Sequence, residues 1–196
     1  MEWMQSIFLG VGLSAACGFR VFVPLLGMSL CAKAGHLSFA PGFEWMGSWP
    51  ALVIFAVATV LEVLAYYIPF VDNLLDTIAT PAAMIAGTIV MASQVGEVSP
   101  LLRWSLAVIV GGGAAGMAQG STVLVRAAST ATTAGAGNPV VSTGELAASA
   151  GATLLAIVLP VAAVIVVVLL SVFVLRGIIR PARARREPDP QGQNPE

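Results

Sequence analysis

The sequence predicts an all-α integral membrane protein with about five transmembrane helices, six being the alternative, and one short interfacial or re-entrant helix. Three observations carry this. Hydrophobic residues make up 58% of the 196 residues and charged ones only 10%, against roughly 25% charged in an ordinary soluble domain. A globule of this size has too little interior to hide so much apolar surface, whereas lipid accepts it on the outside. The apolar residues also fall in long runs, and prolines, glycines and capping residues punctuate them at helix-length intervals.

The first apolar run, 5–33, contains Gly10, Gly12, Gly18, Arg20, Pro24 and Gly27 and is expected to form one helix kinked near Pro24. It lacks a basic leader region and is expected to be retained as a helix. The loop 34–47 is rich in turn residues and aromatics (Phe39, Phe43, Trp45), which suits the membrane interface. Ser48 caps a second helix that runs to Ile68 and stops at Pro69. The stretch 71–79 carries Asp72, Asn73 and Asp76 among apolar residues and reads as the short interfacial or re-entrant helix. Thr80-Pro81 and Ser99-Pro100 each place a cap before a proline and open the third and fourth spans. Five glycines between Gly111 and Gly120 thin the fourth, which ends in the polar residues Gln119, Ser121, Thr122 and Arg126. Ser142 to Glu145 fits a capping box for the last helix. Carried on to Leu175 that helix would measure about 50 Å, against a bilayer core of about 30 Å. Either its first turns stand outside lipid or Pro160 divides it.

Residues 1–177 form the expected membrane domain and 178–196 a disordered tail. Of the nine basic residues, Arg176, Arg180, Arg183, Arg185 and Arg186 lie at this end. The positive-inside rule places the tail in the cytoplasm, in a cytoplasmic (inner) membrane. With five crossings the N-terminus is then outside, Lys33 and Arg103 inside, and Asp72 and Asp76 outside. An echo at an offset of 102 residues pairs Gly10 with Gly112 and Gly18 with Gly120, and would amount to an inverted repeat.

Charges inside apolar helices mark the candidate site, because an arginine at the bilayer centre costs at least about 2.5 kcal/mol. Arg20 therefore needs a partner, and Glu62 on the neighbouring helix lies at a matching depth. Asp72 and Asp76, one helical turn apart with Asn73 between them, form an oxygen-rich group suited to protons or hard cations. Arg126 is placed to meet an anion or Glu145, beside Gln119. Glu145 otherwise reads as part of the helix cap. The substrate or ion pathway is thus expected along Arg20, Glu62, Asp72, Asp76 and Arg126, with Asn73, Gln119 and Glu145 secondary.

No metal cluster, cofactor motif or catalytic grouping is found in the sequence. Cys17 and Cys31 would lie about 21 Å apart on one helix, beyond disulfide reach, and His36 has no acid or nucleophile near it in sequence. The basic tail lacks interleaved aromatics and turns acidic at Glu187, so nucleic acid is not an expected partner. The expected partners are the lipid bilayer and a second copy or another membrane protein. Two functions fit: a small transporter or channel-like protein for an ion or small polar solute, or a scaffold or accessory subunit whose small-residue faces pack on partner helices.

The run 13–26 (LSAACGFRVFVPLL), with its Gly18, Arg20, Pro24, Leu25 and Leu26, resembles the opening of a bacterial membrane family known as domain of unknown function 4126. Glu62, Ile68-Pro69, Val71-Asp72 and Asp76 are similar to a second run of that family, and the Thr80-Pro81 and 142–145 features fall where similar ones recur. Where the family pattern has charged residues before the Ile-Pro pair, this chain has Tyr66 and Tyr67. The resemblance implies a multi-pass membrane fold and no assigned activity.

Overall fold

The computed structural model describes residues 2–96 and 98–184, with the side chains of residues 2, 69–74, 76 and 177–184 outside the described set. The eight α-helices among these residues are α1 (Glu2–Cys17), α2 (Phe22–Lys33), α3 (Trp49–Ala65), α4 (Pro69–Gln94), α5 (Pro100–Leu106), α6 (Gly113–Thr133), α7 (Asn138–Val158) and α8 (Pro160–Ala184). A π-helical segment, Ala107–Gly112, joins α5 to α6, so Pro100–Thr133 runs as one continuous helix.

Two helix starts follow the expected chemistry. The Ser48 hydroxyl accepts the Ala51 N–H at 3.3 Å and opens α3, and Ser99 accepts the Leu102 N–H at 3.4 Å and opens α5. Two others differ. Pro81 lies inside α4 rather than at a start, and 71–79 belongs to the same 26-residue helix instead of forming a separate short one. The proline removes one backbone bond but does not end the helix, whose packing continues on both sides. Helix α7 begins at Asn138 with Pro139 in its first turn, so Ser142 and Glu145 lie within the helix and form no capping box. Pro160 does divide the last apolar run, opening α8.

The first run is not a single crossing. It breaks at Gly18–Arg20, ahead of Pro24, which sits harmlessly in the first turn of α2. The two halves then fold back on each other. Trp3 shares a cavity with Phe39, Pro41 and Gln94, while at the far end of α2 Lys33 lies over the Trp49 ring at 4.8 Å. Ala40 N–H donates to the Ser93 carbonyl at 2.7 Å, which ties these loops to one end of the bundle. Along α7, Gly12 meets Ala156, the Ala16 carbonyl meets Ser149, and Gly27 is again beside Thr153. The chain therefore descends through α1, turns at about the depth of Ser149, and returns through α2. The re-entrant element is this hairpin.

The chain traverses the bundle through α3, α4, Pro100–Thr133, α7 and α8. Thr77–Gln94, Pro100–Thr133 and Asn138–Val158 are long and apolar enough to cross a membrane, and the remaining helices offer shorter apolar stretches. Ala163 packs with Ala156 around Gly12, and Leu170 shares a cavity with Ala148, so α8 runs antiparallel to α7 and away from the Lys33 end. Arg103 donates to the Gly96 carbonyl at 2.9 Å and so belongs to the Lys33 end. Lys33 and Arg103 therefore lie opposite the end toward which α8 carries Arg176, and the expectation that all three share one side is corrected. The side chains of Arg180 and Arg183, and all of 185–196, lie outside the described residues. In the offset echo, Gly18 sits at the hairpin tip whereas Gly120 lies inside the unbroken α6.

Burial is inverted relative to a soluble protein. Ile54, Leu61, Ile109 and Phe173 are more than 60% exposed, while Arg20, Ser29, Ser93 and Ser149 are buried. Such a surface is stable against lipid, and the chain is a helical membrane protein. Inside, α1, α4 and the π segment approach through small residues. The Ser14 hydroxyl donates to the Gly87 carbonyl at 2.8 Å, and a Cβ on Gly87 would lie 2.6 Å from the Ala115 Cβ and 2.7 Å from the Gly111 carbonyl.

A test follows from this contact. Gly87→Ala should lower the melting temperature in detergent, at a cost of about 1–3 kcal/mol from overpacking. Gly113→Ala meets open space and should be neutral or stabilising by up to about 1 kcal/mol. Equal behaviour of the two variants would contradict the packing described.

Candidate functional site at the tip of a re-entrant hairpin

A helix broken inside a membrane frees carbonyls at one end and N–H groups at the other, and each must find a partner. At the tip of the α1–α2 hairpin two neighbouring helices supply them. The Ser149 hydroxyl of α7 lies 3.0 Å from the Ala16 carbonyl and 3.4 Å from that of Arg20. The Glu62 carboxylate of α3 accepts the N–H of Val21 at 2.8 Å and that of Phe22 at 3.1 Å. Glu62 thus sits where the dipole of α2 favours negative charge. Gly18 permits the turn, because a Cβ there would strike the backbone of α6 at Ala115 and Gln119.

Arg20 leaves this tip toward α7. Its Nη2 donates to the Ser142 hydroxyl at 2.7 Å and carbonyl at 3.0 Å, and lies 3.2 Å from Glu145 Oε2. Arg126, from α6, meets the same carboxylate with two bonds, Nε to Oε1 at 2.8 Å and Nη2 to Oε2, and reaches the Ser142 hydroxyl at 3.2 Å. Tyr66, at the end of α3, lies across both cations, with its ring centre 3.8 Å from the Arg20 and 4.5 Å from the Arg126 guanidinium carbon. The Tyr67 hydroxyl is 2.8 Å from that of Thr143, fastening α3 to α7. Arg20, Arg126 and Glu145 are each less than 8% exposed.

The expected pairing of Arg20 with Glu62 is therefore replaced. The two residues do lie at matching depth, but Glu62 spends its oxygens on the helix start, and Glu145, read as a cap, is the counter-ion of both arginines. The charge cluster is a buried contact between the hairpin turn, α6 and α7. Asp72, Asn73 and Asp76 belong to the first turns of α4, and their side chains lie outside the described residues. Ser142, Ser149 and Tyr66 went unrecognised as members of the site. Ser142, Glu145, Ser149 and Thr153 fall at i, i+3, i+7 and i+11 on α7 and are all buried. That inward polar stripe on an apolar helix is the signal that reveals them.

Open space surrounds the tip. A cavity of about 530 Å³ lies between α2, α3, α4 and α6, lined by Glu62, Tyr66, Gln119 and apolar side chains. A second of about 240 Å³, between α6 and α7, is lined by Glu145, Ser121 and Thr122. A third of about 290 Å³ lies against α7 and α8. Phe19, in the hairpin turn, borders all three.

Glu145→Gln should leave two buried guanidiniums without their shared counter-ion and cost about 3–5 kcal/mol. Ser142→Ala should cost less, about 1–3 kcal/mol, since both arginines keep Glu145. Thermal melts in detergent check the order, and an unchanged melting temperature for Glu145→Gln would contradict the geometry.

No curated protein and no solved structure matches the chain. Residues 7–180, which include the hairpin turn, the charge cluster and the three cavities around the tip, match the family described as Domain of unknown function (DUF4126), and the chain belongs to that family.

Proposed function

We propose that the protein moves a small solute across a membrane, and that the solute passes the hairpin tip through the cavity at Glu62 rather than through the arginine cluster. The observation that supports this is the broken, re-entrant α1–α2 hairpin with cavities on several sides of its turn. Non-helical backbone at membrane depth is tolerated where protein buries it or where it lines a cavity, and transporters use such breaks to expose backbone and helix ends to their substrates. The Arg20–Glu145–Arg126 cluster then serves as the fastening that holds the tip in place. Asp72, Asn73 and Asp76 remain part of the proposed path at the start of α4.

The rival reading, a scaffold or accessory subunit, draws on the small residues. Gly10, Gly12, Gly18, Gly27, Gly87 and Gly111 are however consumed by contacts within this chain, which leaves fewer of them for a partner.

The protein reconstituted in liposomes should release at least one of potassium, chloride, glycerol or a short-chain alcohol several times faster than empty vesicles. Ala58→Trp, which fills the Glu62 cavity from α3, should abolish that excess while the protein still inserts. Release no faster than from empty vesicles across the whole panel, or flux unaffected by Ala58→Trp, would overturn the proposal.

A further inference from the structure

The cavity at Glu62 has a distinctive chemical make-up. Apart from Glu62, Tyr66 and Gln119, its described walls are apolar or carry a thiol, with Phe22 and Leu75 among them. Leu61 of α3 and Ile78 of α4 also line it and are 61% and 53% exposed, so its mouth opens between α3 and α4 on the apolar flank of the bundle. A molecule dissolved in lipid can enter there without crossing water. The volume of about 530 Å³ falls within the range that holds a drug-sized ligand, roughly 300–1,000 Å³.

Two polar groups are left to receive it. The Gln119 side chain is 6% exposed, lines the cavity, and makes no hydrogen bond through its amide among the described residues. Its amide opens into the cavity, where a ligand can supply the hydrogen-bond partner. Each Glu62 oxygen accepts one backbone N–H and keeps room for another donor. Among the described residues the formal charges beside the cavity are matched, two guanidiniums against the carboxyl groups of Glu62 and Glu145, so an ionic guest would bring an unpaired charge into a low-dielectric site.

We infer that this cavity binds an uncharged amphiphile taken from the membrane, an apolar body with a single hydroxyl or amide head that donates to Glu62 and pairs with the Gln119 carboxamide. This deepens the transport reading and rests on it in taking the cavity as the solute's site, but binding is measurable without flux. Tyr66, lying between the cavity and the two guanidiniums, keeps the head group away from the arginines.

The test is photolabelling of the full chain in nanodiscs with three diazirine probes of equal length, a decanol, a decylamine and a decanoate, with labelled peptides mapped by mass spectrometry. The decanol probe should label α3 and α4 peptides around the cavity most strongly, and excess unlabelled 1-decanol should suppress that labelling. Gln119→Leu, which breaks no side-chain bond among the described residues, should reduce it severalfold, and Ala82→Trp should do so by filling the space. Equal labelling in wild type and both variants, labelling that 1-decanol does not suppress, or preference for either charged probe would overturn the inference. Flux that depends on the cavity with no saturable decanol labelling would leave transport standing and remove this ligand class. Saturable labelling without flux would keep the ligand and remove transport.

Discussion

The buried carboxylate of Glu145, shared by Arg20 and Arg126, is the contact on which the arrangement depends. Each arginine alone would be too costly at membrane depth, and each comes from a different element, one from the hairpin turn and one from α6. By meeting both, and by presenting Ser142 one turn earlier, α7 fixes the position of the turn against two neighbours at once. Truncating one member of such a triad strands the charge of another, so the three are expected to behave as a unit.

The hairpin turn is stabilised by a second, independent division of labour. Ser149 meets the freed carbonyls, Glu62 meets the freed N–H groups, and Gly18 lets the chain turn against α6. These groups of the break are thereby paired within protein, as hydrocarbon requires. What it leaves around itself is space, with Phe19 bordering three cavities. The proposed transport route draws on this combination of a fastened turn and open volume. The matching family carries no assigned activity, so the functional argument stands on this geometry.

Much of the fold was legible from composition and capping chemistry. Ser48, Ser99 and Pro160 mark helix starts where they should, and the paucity of charge points to lipid. The misreadings have physical causes. Gly18 and Pro24 both mark a possible break, and sequence alone does not tell that a proline in a first helical turn is harmless while a glycine facing α6 permits the reversal. A run of 29 residues (5–33) looks like one long crossing, because two short helices folded back on each other have the same composition. Arg20 announces by its cost that a partner exists, yet the partner is 125 residues away in sequence, whereas Glu62 is the nearer acid at the same depth. Glu145 resembled a cap because Ser142 stands three residues before it, and that same spacing places both on one inward face of α7.

The most direct measurement of the central claim is a double-mutant cycle in detergent on Arg126→Met and Glu145→Met, read as unfolding free energy. If Glu145 is the shared counter-ion, the two changes are strongly non-additive: the double variant is less destabilised than the Glu145→Met single variant, with a coupling of about 2 kcal/mol or more. Additive costs would show that the two residues act independently and would contradict the account.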